Sequence, residues 1–192
     1  MPTLTATNSL STKLATIEPH IGNTPLLRIE GFHDNENVQI FAKLEWKQLS
    51  GSVKARAAYN IIKNAILENK LTPDKILLDA SSGNTGIAYA TIGKKIGLNV
   101  TILLPENASS ERKNILKSLG AEIIYTSKFR GTDEAQDAAK ELAERYPEKY
   151  FYADQYSNEN NWKAHYHGTA EEIIHEKPQL DYFIAGLGTT GT

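Results

Sequence analysis

Cysteine is absent from the 192 residues. Its absence removes disulfides, thiolate metal ligands and cysteine nucleophiles together, and fits a reducing compartment. An excess of basic charge is missing too: 21 Lys and Arg against 23 Asp and Glu leave a formal net charge of -2. The chain therefore carries no electrostatic footprint for nucleic acid or an acidic membrane surface. Long apolar runs are lacking, since stretches such as Val100-Thr101-Ile102-Leu103-Leu104 have strand length and cannot span a bilayer. Residues 1–16 are rich in Ser and Thr and hold a single Lys, and no Arg precedes Arg28. They have neither the charged n-region and apolar h-region of a secretory signal nor the arginines of a transit peptide. The expectation is a flexible N-terminal arm on a cytoplasmic protein with no nucleic-acid or membrane partner. Neither G-x-S-x-G nor H-E-x-x-H occurs, so the hydrolase elbow and the zinc-protease helix are excluded.

What remains has an ordinary globular composition, with 40% hydrophobic and 23% charged residues. At roughly 150 residues per domain, the length suits one core, or one core plus part of another. From residue 38 onward, strand-like and helix-like runs alternate. A β-prone run at 38–45 precedes a helix from Ser52, its predicted N-cap, to about Asn69, with Val53, Ala57, Ile61 and Ala65 recurring every four residues. Strands are expected at 75–80, 100–104, 122–126, 150–153 and 181–185. The helices between them end near Ile96, stopped by Gly97, run over 110–119, stopped by Gly120, and cover 132–146 and about 162–175. The Glu-rich stretch 134–148 reads as a solvated helix face. This alternation defines an α/β fold with a mostly parallel sheet covered on both faces. Ligands in such sheets sit beyond the carboxyl ends of the strands, which directs attention to the loops after Ala80, Leu104, Ala153 and Ala185.

Two of those loops are rich in glycine and hydroxyl residues. Gly186-Leu187-Gly188-Thr189-Thr190-Gly191-Thr192 contains G-x-G-x-x-G, which fits an anion cradle of backbone N–H groups, a dinucleotide site or a plain strand-to-helix turn. Ser81-Ser82-Gly83-Asn84-Thr85-Gly86 leads into a helix. It offers free N–H groups to a carboxylate or phosphate, or an N-cap made by Ser82 or Asn84. Lys54, in Ser50-Gly51-Ser52-Val53-Lys54-Ala55-Arg56, sits near a helix start. There the positive end of the dipole favours the neutral amine that a Schiff-base former needs, although taken alone the residue is more simply explained as a solvated lysine. His165 and His167 stand two apart, on different faces of a helix, and no third ligand completes a zinc set. No metal is expected.

Taken jointly, these elements resemble the cysteine synthase (O-acetylserine sulfhydrylase) family of fold type II pyridoxal-phosphate enzymes. Lys43-Leu44-Glu45 with Ser50 to Arg56 resembles its lysine motif, Ser81 to Gly86 its T-S-G-N-T-G loop, and Gly188 to Thr192 its cofactor-phosphate loop. Gly22-Asn23-Thr24-Pro25-Leu26, Pro105-Glu106, Glu111-Arg112, Leu119-Gly120-Ala121-Glu122 and Asp154-Gln155-Tyr156-Ser157-Asn158 support it. The likeness runs from about residue 17 to Thr192, and Thr189-Thr190 with Ala164-His165-Tyr166 look closer to the B-type enzymes. It implies pyridoxal 5'-phosphate as cofactor and β-replacement on an activated, O-acetylserine-like serine by a sulfur donor, through an aminoacrylate to cysteine. Lys54 is the implied catalytic residue, holding the cofactor and moving the α-proton. Ser81, Ser82, Gly83, Asn84, Thr85 and Gln155 are the implied substrate-binding residues. Asn84, Gly188, Thr189, Thr190, Gly191 and Thr192 join Lys54 in binding the cofactor, Asn84 at its ring oxygen and the others at its phosphate.

The family's layout implies a three-layer fold in which residues 46–151 form a complete small α/β domain. Residues 1–45 would pack on a larger domain that begins at 152–192 and is incomplete. The chain is therefore expected to be truncated, inactive as a fragment and homodimeric at full length. Departures from the family pattern are Gln48-Leu49 for Asn-Pro, which frees the loop before Lys54 from a fixed φ, Ala55 for Asp, Ser81 for Thr, and Ala170-Glu171 for Gly-Pro. They leave room for another fold type II reaction: serine or threonine deamination, cystathionine formation or diaminopropionate synthesis. A non-catalytic paralog and a Rossmann-like nucleotide domain are the remaining alternatives.

Overall fold

The computed structural model describes residues 4–192, with side chains from residue 10 onward. Its elements are, in chain order, α1 (Leu4–Ile17), β1 (Leu26–Ile29), β2 (Ile40–Lys43), α2 (Lys54–Leu67), β3 (Ile76–Ala80), α3 (Asn84–Ile96), β4 (Val100–Pro105) and α4 (Ser110–Ser118). There follow β5 (Glu122–Thr126), α5 (Gly131–Arg145), β6 (Tyr150–Tyr152), α6 (Asn160–Ala164), a π-helical turn (His165–Ala170) and α7 (Glu171–Glu176). Strands β3 to β6 form a four-stranded parallel sheet in the order β5-β4-β3-β6, while β1 and β2 make a separate antiparallel pair.

The central strands β3 and β4 lack polar alternation because both of their faces are covered. On one face Leu77, Val100, Ile102 and Leu104 pack with Ile61, Ile62 and Ile66 of α2 and Ala88, Tyr89 and Ile92 of α3. On the other, Leu78, Ala80 and Leu103 meet Ala135 and Ala139 of α5, whose four-residue spacing is a narrow apolar stripe. Glu141 and Glu144 of that helix stay exposed, as a solvated face requires. Gly97 and Gly120 end their helices at positive φ, 77° and 85°, and the Gly97 N–H donates to the Gly93 carbonyl at 2.8 Å.

Three sequence expectations need correction. The flexible arm proposed for residues 1–16 is a helix over Leu4–Ile17, residues 1–3 lying outside the described part. Leu10, Leu14 and Ile17 fall on one side of it and are buried among the residues of α2 and α3. Such burial contributes roughly 1.5–3 kcal/mol per side chain, which outweighs the weak helix preference of the surrounding Ser and Thr. The strand expected at 181–185 is absent, and no residue of 177–192 is in a helix or strand. A buried parallel strand needs a neighbouring edge and two cover layers, and Ile184 instead stands 92% exposed. Finally, Gly83 occupies the N-cap of α3, not Ser82 or Asn84, and makes no side-chain cap bond.

Candidate active site

The N-terminus of α2 is anchored by one arginine. Arg56, 3% exposed, donates from Nη1 and Nη2 to the two Glu172 oxygens at 2.6 and 2.7 Å, and from Nε and Nη2 to those of Glu45, both at 2.8 Å. Its Nη2 also donates to Thr24 Oγ1 at 3.1 Å. Lys43 joins through Glu172 at 2.9 Å and Glu176 at 2.8 Å. Burial alone lowers the guanidinium's proton affinity, but the two carboxylates more than offset this and raise it. Burial likewise pushes Glu172 up, yet Arg56, the Asn23 N–H and Lys43 hold its carboxyl at about 2. Gly22 and Asn23 lie at φ 77° and 49°, and their N–H groups donate to Gln48 Oε1 at 2.9 Å and Glu172 Oε1 at 2.8 Å. A side chain at Gly22 would meet Glu172 Oε1 at 2.8 Å.

Gln48-Leu49 frees the loop before Lys54 from a proline's fixed φ, and hydrogen bonds hold it instead. Gln48 is buried, accepts from the Gly22 N–H and donates from Nε2 to Glu45 Oε2 at 2.8 Å, and the Leu49 N–H donates to the His20 carbonyl at 3.2 Å. Two side-chain hydrogen bonds replace the missing ring constraint. Ser52 accepts from the Lys54 N–H at 3.4 Å, but the helix cap itself is Val53. Lys54 is the first residue of α2 and half-buried, and burial lowers its pKa. Among the described residues its Nζ has neither a salt-bridge partner nor a hydrogen bond.

At the carboxyl end of β3, the buried Ser81 hydroxyl accepts from the Gly83 and Gly86 N–H groups at 3.3 and 3.0 Å. It is thus engaged in shaping its own loop, and Arg112 of α4 clamps the loop by donating to the Ser82 carbonyl at 2.8 Å. Asn84 and Thr85 open α3, where N–H groups have no intrahelical acceptor. Gln155, 4% exposed, donates from Nε2 to the Ala80 carbonyl at 2.9 Å and so lies directly against the Ser81 loop. Asn161 links the third segment, donating to the Gln155 carbonyl at 2.7 Å and to Thr189 Oγ1 at 2.9 Å. Gln155 is therefore in contact with the start of the 81–86 loop and, through Asn161, with the 188–192 loop. Asn84, Thr190 and Thr192 make no side-chain hydrogen bond among the described residues.

Sequence reasoning missed the Arg56 network, Arg112 and Asn161. Their partners lie 116, 30 and 28 positions away, and no local pattern carries such pairings. His165 and His167 face apart as expected, one buried and one exposed. Burial, with the nearby positive charges of Lys54 and Arg56, lowers the His165 imidazole to about 4.

Comparison with known proteins sets this arrangement in a family. The family model described as pyridoxal-phosphate dependent enzyme matches residues 17–192. The chain belongs to that family. It is 44% identical to a cysteine synthase of Aquifex aeolicus, covering 92% of this chain and 55% of the relative. With cysteine synthase B of Escherichia coli it shares 38% identity over 93% of this chain and 59% of that protein. Among solved structures, an O-acetylserine dependent cystathionine beta-synthase from Helicobacter pylori superposes with a TM-score of 0.84 at 34% identity, over 91% of this chain and 58% of the other. The chain thus spans about half the length of the curated relatives it matches, and its parallel α/β sheet is the fold of these pyridoxal-phosphate enzymes.

Proposed function

We propose that these residues serve a pyridoxal-phosphate dependent β-replacement in which a sulfur nucleophile displaces the leaving group of an activated serine to form cysteine. The observation that carries the reading is Lys54: a half-buried amine at the start of α2, with a lowered pKa and without an ion pair or hydrogen bond among the described residues. An aldehyde cofactor needs such an amine, available in the neutral form. The rest of the donor set fits the same group, because the two glycine-rich loops present main-chain N–H groups and hydroxyls with no acidic residue in either. When bound, pyridoxal phosphate supplies the electron sink that makes an α-proton removable.

The chain's own residues supply position and proton handling. Lys54 Nζ would hold the cofactor and would take and return the α-proton. The N–H groups at Ser82, Gly83, Asn84 and Thr85, at the positive end of α3, take the substrate carboxylate with Gln155 beside them. Ser81 shapes that loop from within. Asn84 would hold the cofactor ring, and Gly188, Thr189, Thr190, Gly191 and Thr192 would hold its phosphate. Arg56 stands two residues beyond Lys54 and fixes the first turn of α2, so the amine is delivered from a rigid base.

The same proposal divides the chain into residues 46–151, a small α/β unit, and two flanks, 1–45 and 152–192, of a larger one, although α1 of the first flank packs against α2 and α3 of the small unit. The flanks are joined through Lys43, Glu172 and Glu176, which supports the pairing. We place the protein in the cytoplasm as a homodimer at full length, with a small amino acid and a sulfur donor as its partners. Similar likeness to a cysteine synthase and to a cystathionine-forming enzyme makes the nucleophile the point to test. Full-length protein given O-acetylserine should turn over with sulfide faster than with homocysteine or ammonia, and Lys54→Ala should lose all three activities. Preference for homocysteine would reassign the reaction to cystathionine formation, and activity surviving in Lys54→Ala would remove the lysine from its role.

A further inference from the structure

Asn161 stands at the start of α6, 5% exposed. Its amide orientation is decided by its partners. The Gln155 carbonyl can only accept, so the group 2.7 Å away must be Nδ2, and Oδ1 must face the other way. There Oδ1 is buried without a hydrogen-bond partner. It lies against Gly191, where an added Cβ would run into the Asn161 amide, its carbon at 2.8 Å. Between Thr189 and Gly191 the chain turns through Thr190 at φ 60°, a left-handed conformation that leads the main chain around the amide. A cavity of about 100 Å³ opens between the two segments, lined by Gln155, Asn161, Trp162, Thr189, Thr190 and Gly191.

Two consequences follow from donor and acceptor counting. Thr189 Oγ1 accepts from Asn161 Nδ2 at 2.9 Å, so the hydroxyl proton is left to point elsewhere and is polarised for donation. The orphaned Oδ1 cannot bind an anion, because an amide oxygen repels one. It can accept only from an N–H or O–H, and the loop packed against it supplies main-chain N–H groups.

Resting on the proposed pyridoxal-phosphate chemistry, we infer that Asn161 is a positioning residue for the cofactor's phosphate: its Nδ2 fixes Thr189 and the Gln155 main chain in mutual register, and its Oδ1 accepts a loop N–H once the anion is seated. One side chain thereby sets the distance between the carboxylate-binding and phosphate-binding segments. Gly191 is glycine because the amide occupies the space of any side chain.

The test uses full-length protein and two probes, pyridoxal phosphate and pyridoxal, which lacks the phosphate, each titrated by absorbance. Thr189→Val should weaken pyridoxal phosphate binding about ten- to a hundredfold, the range for losing a hydrogen bond to a charged group, and Asn161→Ala about three- to tenfold, the range for losing a neutral one. Pyridoxal, attached through Lys54 alone, should bind the variants and the parent alike. Asn161→Asp, which swaps the donor for a second acceptor near the anion, should bind the phosphorylated probe most weakly. Thr189→Val keeps the test alive should Asn161→Ala fail to fold. Equal pyridoxal phosphate affinity in the variants, or an equal loss toward both probes, would overturn the inference. A parent protein that binds neither probe would instead overturn the function on which it rests.

Discussion

The start of α2 and the segment 177–192 are opposites in how the chain commits its groups. Around α2, Arg56 has both carboxylate partners seated, Gln48 uses both ends of its amide, and the Gly22-Asn23 turn spends two N–H groups. In 177–192, Tyr182, Ile184 and Leu187 are about nine-tenths exposed; Lys177 at its start reaches Gln39 and the Phe41 ring, and beyond it the hydrogen-bonded tie to the rest runs through Asn161 to Thr189. Lys54 is thus set by a dense network, whereas the loop proposed to hold the phosphate is hydrogen-bonded at one point, Thr189. A lysine in the proposed role would need that over-determination.

That contrast can be broken most forcefully at Arg56. Arg56→Met leaves Glu45 and Glu172 without their guanidinium and should cost about 3–5 kcal/mol in denaturant unfolding; a loss below about 1 kcal/mol would show that the network is decorative. Acid titration of stability sharpens the point. Glu172 is held at about 2 against an ordinary value of 4.5. Its folded value is the lower one, so its contribution is complete above pH 4.5 and is lost as pH falls toward 2. Melting temperature followed over that window should drop, and Arg56→Met should flatten the drop. The smallest effect belongs to the other region: Ile184→Asp should change stability by no more than about 0.5 kcal/mol, as for an exposed position. A larger loss would mean that the segment is packed.

Much of the central sheet was legible in the sequence, because β3 and β4 are apolar runs bounded by turn chemistry and the helix before them carries four-residue spacing. Gly97 and Gly120 mark helix ends by a local requirement, positive φ, that sequence can show. The N-terminal helix was not legible, since its Ser and Thr content hides the spacing of Leu10, Leu14 and Ile17, which matters only once α2 and α3 offer a surface. The strand expected at 181–185 failed for the converse reason: β-prone residues specify a strand only beside an edge to pair with. In the candidate site, Lys54 and the two glycine loops could be singled out from motif and position. The groups that hold them could not, because Arg56 with Glu172 and Asn161 with Thr189 are pairings created by the fold.

Trapping the cofactor on the chain tests the central claim most directly. Pyridoxal phosphate is added to the purified full-length protein, the product is reduced with borohydride, and the peptides are mapped by mass. The account expects a visible absorption band that disappears on reduction and a cofactor mass carried by the peptide containing Lys54. A label on another lysine, or no band and no label, would contradict it.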